Sequence, residues 1–297
     1  MTALDASAAA LLEAMTAAGR PPVEFGTPDD AREAHLASST FLSGPGEPVV
    51  NVIDGQIDEV DVRVYRPEGA APAAIVYAHG GGWVTGTLDT YDSLYRALAN
   101  RAGVSVVAVG YGLAPGIQHP HAAGQVMKVI QASMTEGSPL ALAGDSVGAH
   151  LVTLVASVAG KVGIPIKALG LIYPVVSPAL DTPSWDELGT GYGLTRESMR
   201  WYWDQYRNPE TVTSLPVDLL DLDLSALPPT LLLTAGFDPL RDEGLALGAA
   251  IEKAGVPLER LSWDGQMHGF VRSMAQIPES FDAISQVGAF LRARLIG

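Results

Sequence analysis

The sequence predicts an α/β fold with a mostly parallel central sheet of about eight strands, flanked by helices. Continuous apolar runs occupy 74–78, 104–109, 140–143, 168–173 and 230–235. Runs without polar alternation suit parallel strands that are covered on both faces. Stretches of helical length at 89–101, 122–134, 147–159 and 240–254 separate most of them, so right-handed crossovers are expected. The chain has 297 residues, 47% hydrophobic and 17% charged. That suffices for one large core and argues against global disorder.

In chain order, 5–18 reads as a helix, with Leu4, Leu11, Leu12 and Met15 near helical spacing. Pro21 and Pro22 stop it. A second helix is expected after Thr27, a fair N-cap, with Pro28 at the first helical position. Strand-like runs at 49–53 and 60–65 flank Asp54-Gly55, which reads as their turn. In the second run Val60, Val62 and Val64 alternate with Asp61, Arg63 and Tyr65, as in a half-solvated antiparallel strand. The apolar runs and helices follow, then a last strand at 258–263 and a closing helix near 278–295. Between Pro174 and Pro228 no strand is expected. That insert carries Trp185, Tyr192, Trp201, Tyr202, Trp203 and Tyr206, and reads either as a lid or as a helix packed on the core. It and the N-terminal helices are expected to form one cap, about 1–45 and about 180–215, over a core of about 46–179 and about 216–297 in a single domain.

The formal net charge is −15 and the pI is about 4.7. Such a surface repels phosphate backbones, so nucleic acid is not an expected partner. With no cysteine, disulfides and thiolate metal sites are excluded. The N-terminus has no basic region and carries Asp5 and Glu13, so it does not read as a signal peptide. No apolar run approaches the roughly 20 residues of a membrane span, and a cytoplasmic location is the expectation. The sequence leaves the oligomeric state open, a homodimer being one outcome.

Four features carry chemistry. Gly144-Asp145-Ser146-Val147-Gly148 ends an apolar run and opens a helix, the strand–turn–helix setting of a G-x-S-x-G nucleophile elbow. The glycines let backbone approach closely. His79-Gly80-Gly81-Gly82-Trp83 follows the run 74–78. Its glycines suit backbone N–H groups aimed at a ligand oxygen, and neither a P-loop nor a G-x-G-x-x-G pattern is present. Asp238 lies just past the run 230–235, where ligand-side groups collect, although Pro239 would also suit it to cap the next helix. The competing acids Asp242 and Glu243 fall inside that helix and are expected to be solvated or to stabilise its dipole. His268 lies in a loop beyond the last strand. Of the other histidines, His35 is expected at the surface and His150 behind Ser146, in packing or solvent. His119 and His121 form an H-x-H pair without clustered acids, so no metal site is expected. The order Ser146, Asp238, His268 suits a nucleophile, an orienting acid and a general base. Gly81, Gly82 and Val147 would then supply oxyanion N–H groups.

HGGGW, GDSVG, DPL and HGF in this order resemble the hormone-sensitive-lipase family of serine esterases, over nearly the whole chain. Tyr111-Gly112-Leu113-Ala114-Pro115 resembles a further motif of that family. The resemblance implies an α/β-hydrolase fold with a helical cap, and hydrolysis of small-molecule carboxylic esters with short to medium acyl chains. It implies no cofactor. Trp83, Trp201 and Tyr202 are expected to touch substrate. An acyltransferase or amidase using the same triad is the alternative, and a non-catalytic receptor would be expected to lack a triad residue. Three departures stand out: Val147 where alanine is usual, Ala149-His150 where Gly-Asn is common, and Gly112 and Gly116 where Arg and Glu are usual. The last removes an ion pair that would brace the nucleophile region.

Overall fold

In a computed structural model, which describes residues 3–134, 137–211 and 213–297, eight strands form one sheet. They are β1 (Asn51–Ile57), β2 (Val60–Arg66), β3 (Ala71–Ala78), β4 (Val104–Gly110), β5 (Leu140–Asp145), β6 (Ile166–Ile172), β7 (Thr230–Phe237) and β8 (Leu258–Met267). Their order is β1-β2-β4-β3-β5-β6-β7-β8. The β1–β2 and β2–β4 pairs are antiparallel, and all later pairs are parallel.

The apolar runs are continuous because both faces of the sheet are covered. Val76, Ala78, Leu140 and Leu142 face one core, while Ile75, Tyr77, Ala141 and Ala143 face the other. Helices α4 (His121–Ser133), α5 (Val147–Lys161) and α8 (Arg241–Lys253) fill the first side. Helices α3 (Asp92–Ala102) and α9 (Glu279–Ile296) fill the second. Two helices precede the sheet, α1 (Ala6–Ala17) and α2 (Pro28–Ser43). Thr27 caps α2 reciprocally with Asp30, and Pro28 takes the first turn, where its missing N–H costs nothing.

Two local expectations fail. Asp54-Gly55 is not a turn: Asp54 pairs with Arg63 and Gly55 with Val62. The chain reverses at Asp58 and Glu59, both at positive φ, two-residue hairpin geometry that acidic and amide residues tolerate better than branched ones. Tyr65, expected on a solvated face, is fully buried. Helix α3 covers that face, with the Tyr65 ring 5.3 Å from Tyr95 and its hydroxyl 2.9 Å from Asp92.

Among the described residues, 174–228 holds no strand. It holds α6 (Pro183–Leu188) and α7 (Arg196–Tyr206), then two single turns of 3-10 helix. Thr195 and Ser198 cap α7 reciprocally. Met199, Trp203 and Tyr206 of α7 are buried. Helix α1 is tied beside the last strand by Asp5, whose N–H donates to the Gly265 carbonyl (2.9 Å) and whose carboxylate accepts from Gln266 Nε2 (3.0 Å). No described helix is long and apolar enough to cross a membrane.

Candidate active site

The carboxyl ends of β3, β5 and β8 converge on one cavity of about 530 Å³, and β7 ends behind it on the buried Asp238. Ser146 sits between β5 and α5 with φ 54° and ψ −120°, a strained conformation of the kind found at functional turns. The two glycines of the pentapeptide explain why only this turn fits. A Cβ on Gly148 would stand 2.0 Å from the Ala78 carbonyl oxygen, and one on Gly144 would stand 2.5 Å from the Gly148 carbonyl carbon.

His268 reaches the serine from the loop after β8. Its Nε2 lies 3.0 Å from Ser146 Oγ, and its Nδ1 lies 2.7 Å from Asp238 Oδ2. Asp238 is an acceptor, so Nδ1 carries the proton and Nε2 is left to accept from the serine hydroxyl. Asp238 is fully buried, and its Oδ1 accepts the Leu240 N–H at 2.8 Å. Asp238 thus meets the histidine with one oxygen and braces the turn before α8 with the other, while the N-cap position of α8 itself falls to Leu240.

Gly81 and Gly82 line the same cavity, at φ 109° and 63°. Among the described residues their N–H groups donate to no protein acceptor. Val147 opens α5, where a helix leaves its first N–H groups unpaired. Asp145 holds the glycine loop against the elbow. Its buried carboxylate accepts from Gly80 N–H (2.9 Å) and from the Tyr77 and Tyr91 hydroxyls (3.1 Å each). Burial raises its pKa. His79 is structural: burial pushes its pKa down to about 4, and its ring stacks 4.4 Å from Tyr111, whose hydroxyl donates to the His79 carbonyl at 2.7 Å.

Of the three expected substrate contacts, only Tyr202 lines the cavity, packed where a Cβ on Gly82 would fall. Trp83 corrects the expectation. It is fully buried, because the chain turns at its φ of 60° and stacks the indole on Tyr206 at 4.1 Å. Trp201 packs edge-on to Tyr202, 5.2 Å between centroids, and does not reach the cavity. His150 lies in the same aromatic cluster as Trp83 and donates from Nε2 to the Val217 carbonyl at 2.8 Å. Burial lowers its pKa to about 3, so it is a neutral packing residue. His119 hydrogen-bonds the Leu215 carbonyl, and no cluster of metal-binding side chains occurs among the described residues.

Four residues with roles here escaped the sequence reading. His35, expected at the surface, lines the cavity and is bonded to Thr85 and Arg272. Arg272 lines it as well. Arg32 of α2 donates to the Val84 carbonyl (3.0 Å) and the Ala114 carbonyl (2.8 Å), bracing the region where the expected Arg–Glu pair is missing. Gly112 has no room for an arginine here, since even a Cβ would meet Ile117 at 2.4 Å. Glu243, expected to be solvated or to stabilise the helix dipole, is buried in the first turn of α8. It accepts from Val176 N–H (2.8 Å) and Trp185 Nε1 (3.2 Å), tying α8 to the loop after β6 and to α6. Each signal was a charged letter on an amphipathic helix or turn, which usually marks a solvated face.

Burial, with Asp238 and Asp218 nearby, raises the Glu243 carboxyl from 4.5 to about 8. The folded protein then holds a proton that the unfolded chain has lost, so stability falls as pH rises from about 4.5 to about 8 and levels off above. Glu243→Gln is expected to flatten that decline in urea unfolding measured across this range. An unchanged slope would place the decline elsewhere.

The sequence of residues 75–272 matches the family model described as the alpha/beta hydrolase fold. The chain belongs to that family. It is 33% identical to the ethyl acetate hydrolase of Pseudomonas putida, covering 96% of each chain. It is 35% identical to the carboxylesterase NlhH of Mycobacterium tuberculosis, over 82% of this chain and 80% of that one. Its fold superimposes on the Pyrobaculum calidifontis esterase with a TM-score of 0.90 at 32% identity, covering 99% and 100%. These relatives bear out the resemblance to the hormone-sensitive-lipase type of α/β-hydrolase.

Proposed function

We propose that this carboxylic ester hydrolase works through Ser146, His268 and Asp238 and an acyl-enzyme intermediate, on short- to medium-chain esters. The observation that carries the reading is the relay from Ser146 Oγ to His268 Nε2 (3.0 Å) and from Nδ1 to Asp238 (2.7 Å). A free hydroxyl is a weak nucleophile near neutral pH, and a base at this distance can take its proton as it attacks. Asp238 holds the imidazole in the required tautomer and stabilises its cation. The carbonyl oxygen, negative in the tetrahedral intermediate, lies against the N–H groups of Gly81, Gly82 and Val147. His268 then protonates the leaving alkoxide. Water attacks the acyl-serine by the same route, releasing the acid and restoring the hydroxyl.

Helices α1 and α2 with α6 and α7 form the cap in this reading. Leu11 and Leu42 from one part, and Leu194 and Met199 from the other, line the cavity with Tyr202. Val147 also lines it, and its branched side chain takes space beside the nucleophile. A series of p-nitrophenyl esters from acetyl to decanoyl tests the reading. Turnover is expected to peak among the short acyl chains and fall toward decanoyl. Absence of turnover across the series would overturn it.

A further inference from the structure

The catalytic cavity holds a cation that the hydrolytic steps do not use. Arg272 lies four residues beyond His268, at the end of the 3-10 turn Phe270–Arg272, and lines the cavity with Ser146. It is half-buried. Among the described residues no carboxylate forms an ion pair with it. That is unusual company for an arginine in a chain of formal net charge −15.

The guanidinium is held in place. It stands over the Tyr91 ring, 5.5 Å from the centroid, in a cation–π contact. Its Nη1 donates to His35 Nε2 at 3.1 Å. Since Nε2 accepts, Nδ1 of the neutral His35 carries the proton and donates to Thr85 Oγ1 at 3.1 Å. The Thr85 hydroxyl in turn donates to the Gly81 carbonyl at 2.9 Å. Three hydrogen bonds thus fix the cation relative to the oxyanion glycines. Burial and the neighbouring Arg272 hold the His35 pKa well below the usual imidazole range, so His35 does not compete as a second cation.

An arginine has five N–H donors in a planar fork. Here one is used among the described residues. The other charged groups on the cavity are accounted for differently. Both Asp145 oxygens are engaged by Gly80, Tyr77 and Tyr91. Arg20 donates to the Ala34 carbonyl. Glu24, on the 3-10 turn Val23–Phe25, is the exception: among the described residues it pairs with neither arginine and its Oε2 is buried without a partner.

We infer that Arg272 is a specificity-determining residue that receives a carboxylate carried by the ester, so that the preferred substrates are anionic monoesters rather than neutral esters. This rests on the ester-hydrolase reading of the same cavity and names its substrate class. The reaction is unchanged: water cleaves the acyl–oxygen bond, and the products are a carboxylate, an alcohol and a proton. The substrate's own carboxylate stays intact and binds the fork.

The test compares kcat/KM for monomethyl succinate with that for dimethyl succinate, which differ in one charge. Acetoxyacetate against methyl acetoxyacetate repeats the comparison with the carboxylate on the alcohol side. In at least one pair the anion is expected to be preferred. Arg272→Gln is expected to lower that anion-to-neutral ratio about 10- to 100-fold, the usual worth of a charge-assisted hydrogen bond. Arg272→Lys, which keeps the charge and loses the fork, should fall between. In the wild type the ratio should decline between about 50 mM and about 500 mM salt, as a charge-dependent term must. This arm stands even if Arg272→Gln does not fold.

A wild type that prefers the neutral ester in both pairs overturns the assignment. So does an Arg272→Gln ratio within threefold of wild type, whatever the absolute rates. p-Nitrophenyl acetate, which is neutral, separates the two readings. Turnover of it without any anion preference removes Arg272 alone, whereas no turnover of any ester removes both.

Discussion

Replacing Ser146 by alanine is expected to lower kcat on p-nitrophenyl esters by about 10⁴-fold or more. Among the described residues the serine hydroxyl is the only nucleophile within hydrogen-bond reach of His268 Nε2, and alanine leaves the imidazole nothing to activate. What residual rate survives comes from the N–H groups of Gly81, Gly82 and Val147 and from the positioned ester. Folding should be little affected. Ser146 Oγ makes no hydrogen bond beyond His268 among the described residues, and alanine meets the same positive φ of 54°. The unfolding free energy is therefore expected to stay within about 1 kcal/mol of wild type, as for substitutions that leave packing intact. Near-wild-type turnover in Ser146→Ala would refute the proposed nucleophile. A large loss of stability would mean that the serine holds the elbow together as well.

Gly148→Ala is expected to be the most damaging small substitution at the site, and it acts through packing. The added Cβ would lie 2.0 Å from the Ala78 carbonyl oxygen and 2.6 Å from that of His79. Both contacts are backbone, so no side chain can turn aside. Helix α5 and the end of β3 must separate, at a cost of about 3 kcal/mol. For a chain of this size that is a fall of roughly 5 °C in the melting temperature. The same separation moves the glycine loop away from Ser146, and a misplacement of about 1 Å costs about 100-fold in rate. Calorimetry and turnover of one short ester check both parts. A melting temperature within about a degree of wild type would show that the two elements give way more cheaply than backbone packing allows.

The sheet was legible because its strands are buried on both faces. Continuous runs such as 140–143 have few alternative structures when helices of matching length flank them. The hairpin at Asp58-Glu59 was not, because Asp54-Gly55 carries the stronger turn letters and only the register opposite β2 rules it out. The Ser146, Asp238 and His268 positions were readable from their places after strands. Their alignment to within 3.0 Å depends on the three-dimensional convergence of β5, β7 and β8. The aromatics misled at Trp83, beside the glycine loop, and at Trp201, in the insert, since an indole reads the same whether it faces a ligand or a core. Arg272, His35 and Glu243 were hidden for a different reason. Their roles come from what lies across the cavity or the sheet, far away in sequence.

The two hydrogen bonds from Arg32 reach further than their size suggests. They bind the N-terminal helix α2 to the carbonyl of Val84, just beyond the glycines at 80–82, and to that of Ala114, whose own N–H donates to the Trp83 carbonyl. The first forty-odd residues are thus not a detachable module resting on a self-sufficient enzyme. Grafting a relative's N-terminal segment to alter substrate choice would import its geometry into the glycine loop as well. A chimera of that kind would have to keep an arginine at position 32, or restore the missing pair at 112 and 116 and make room for it beside Ile117.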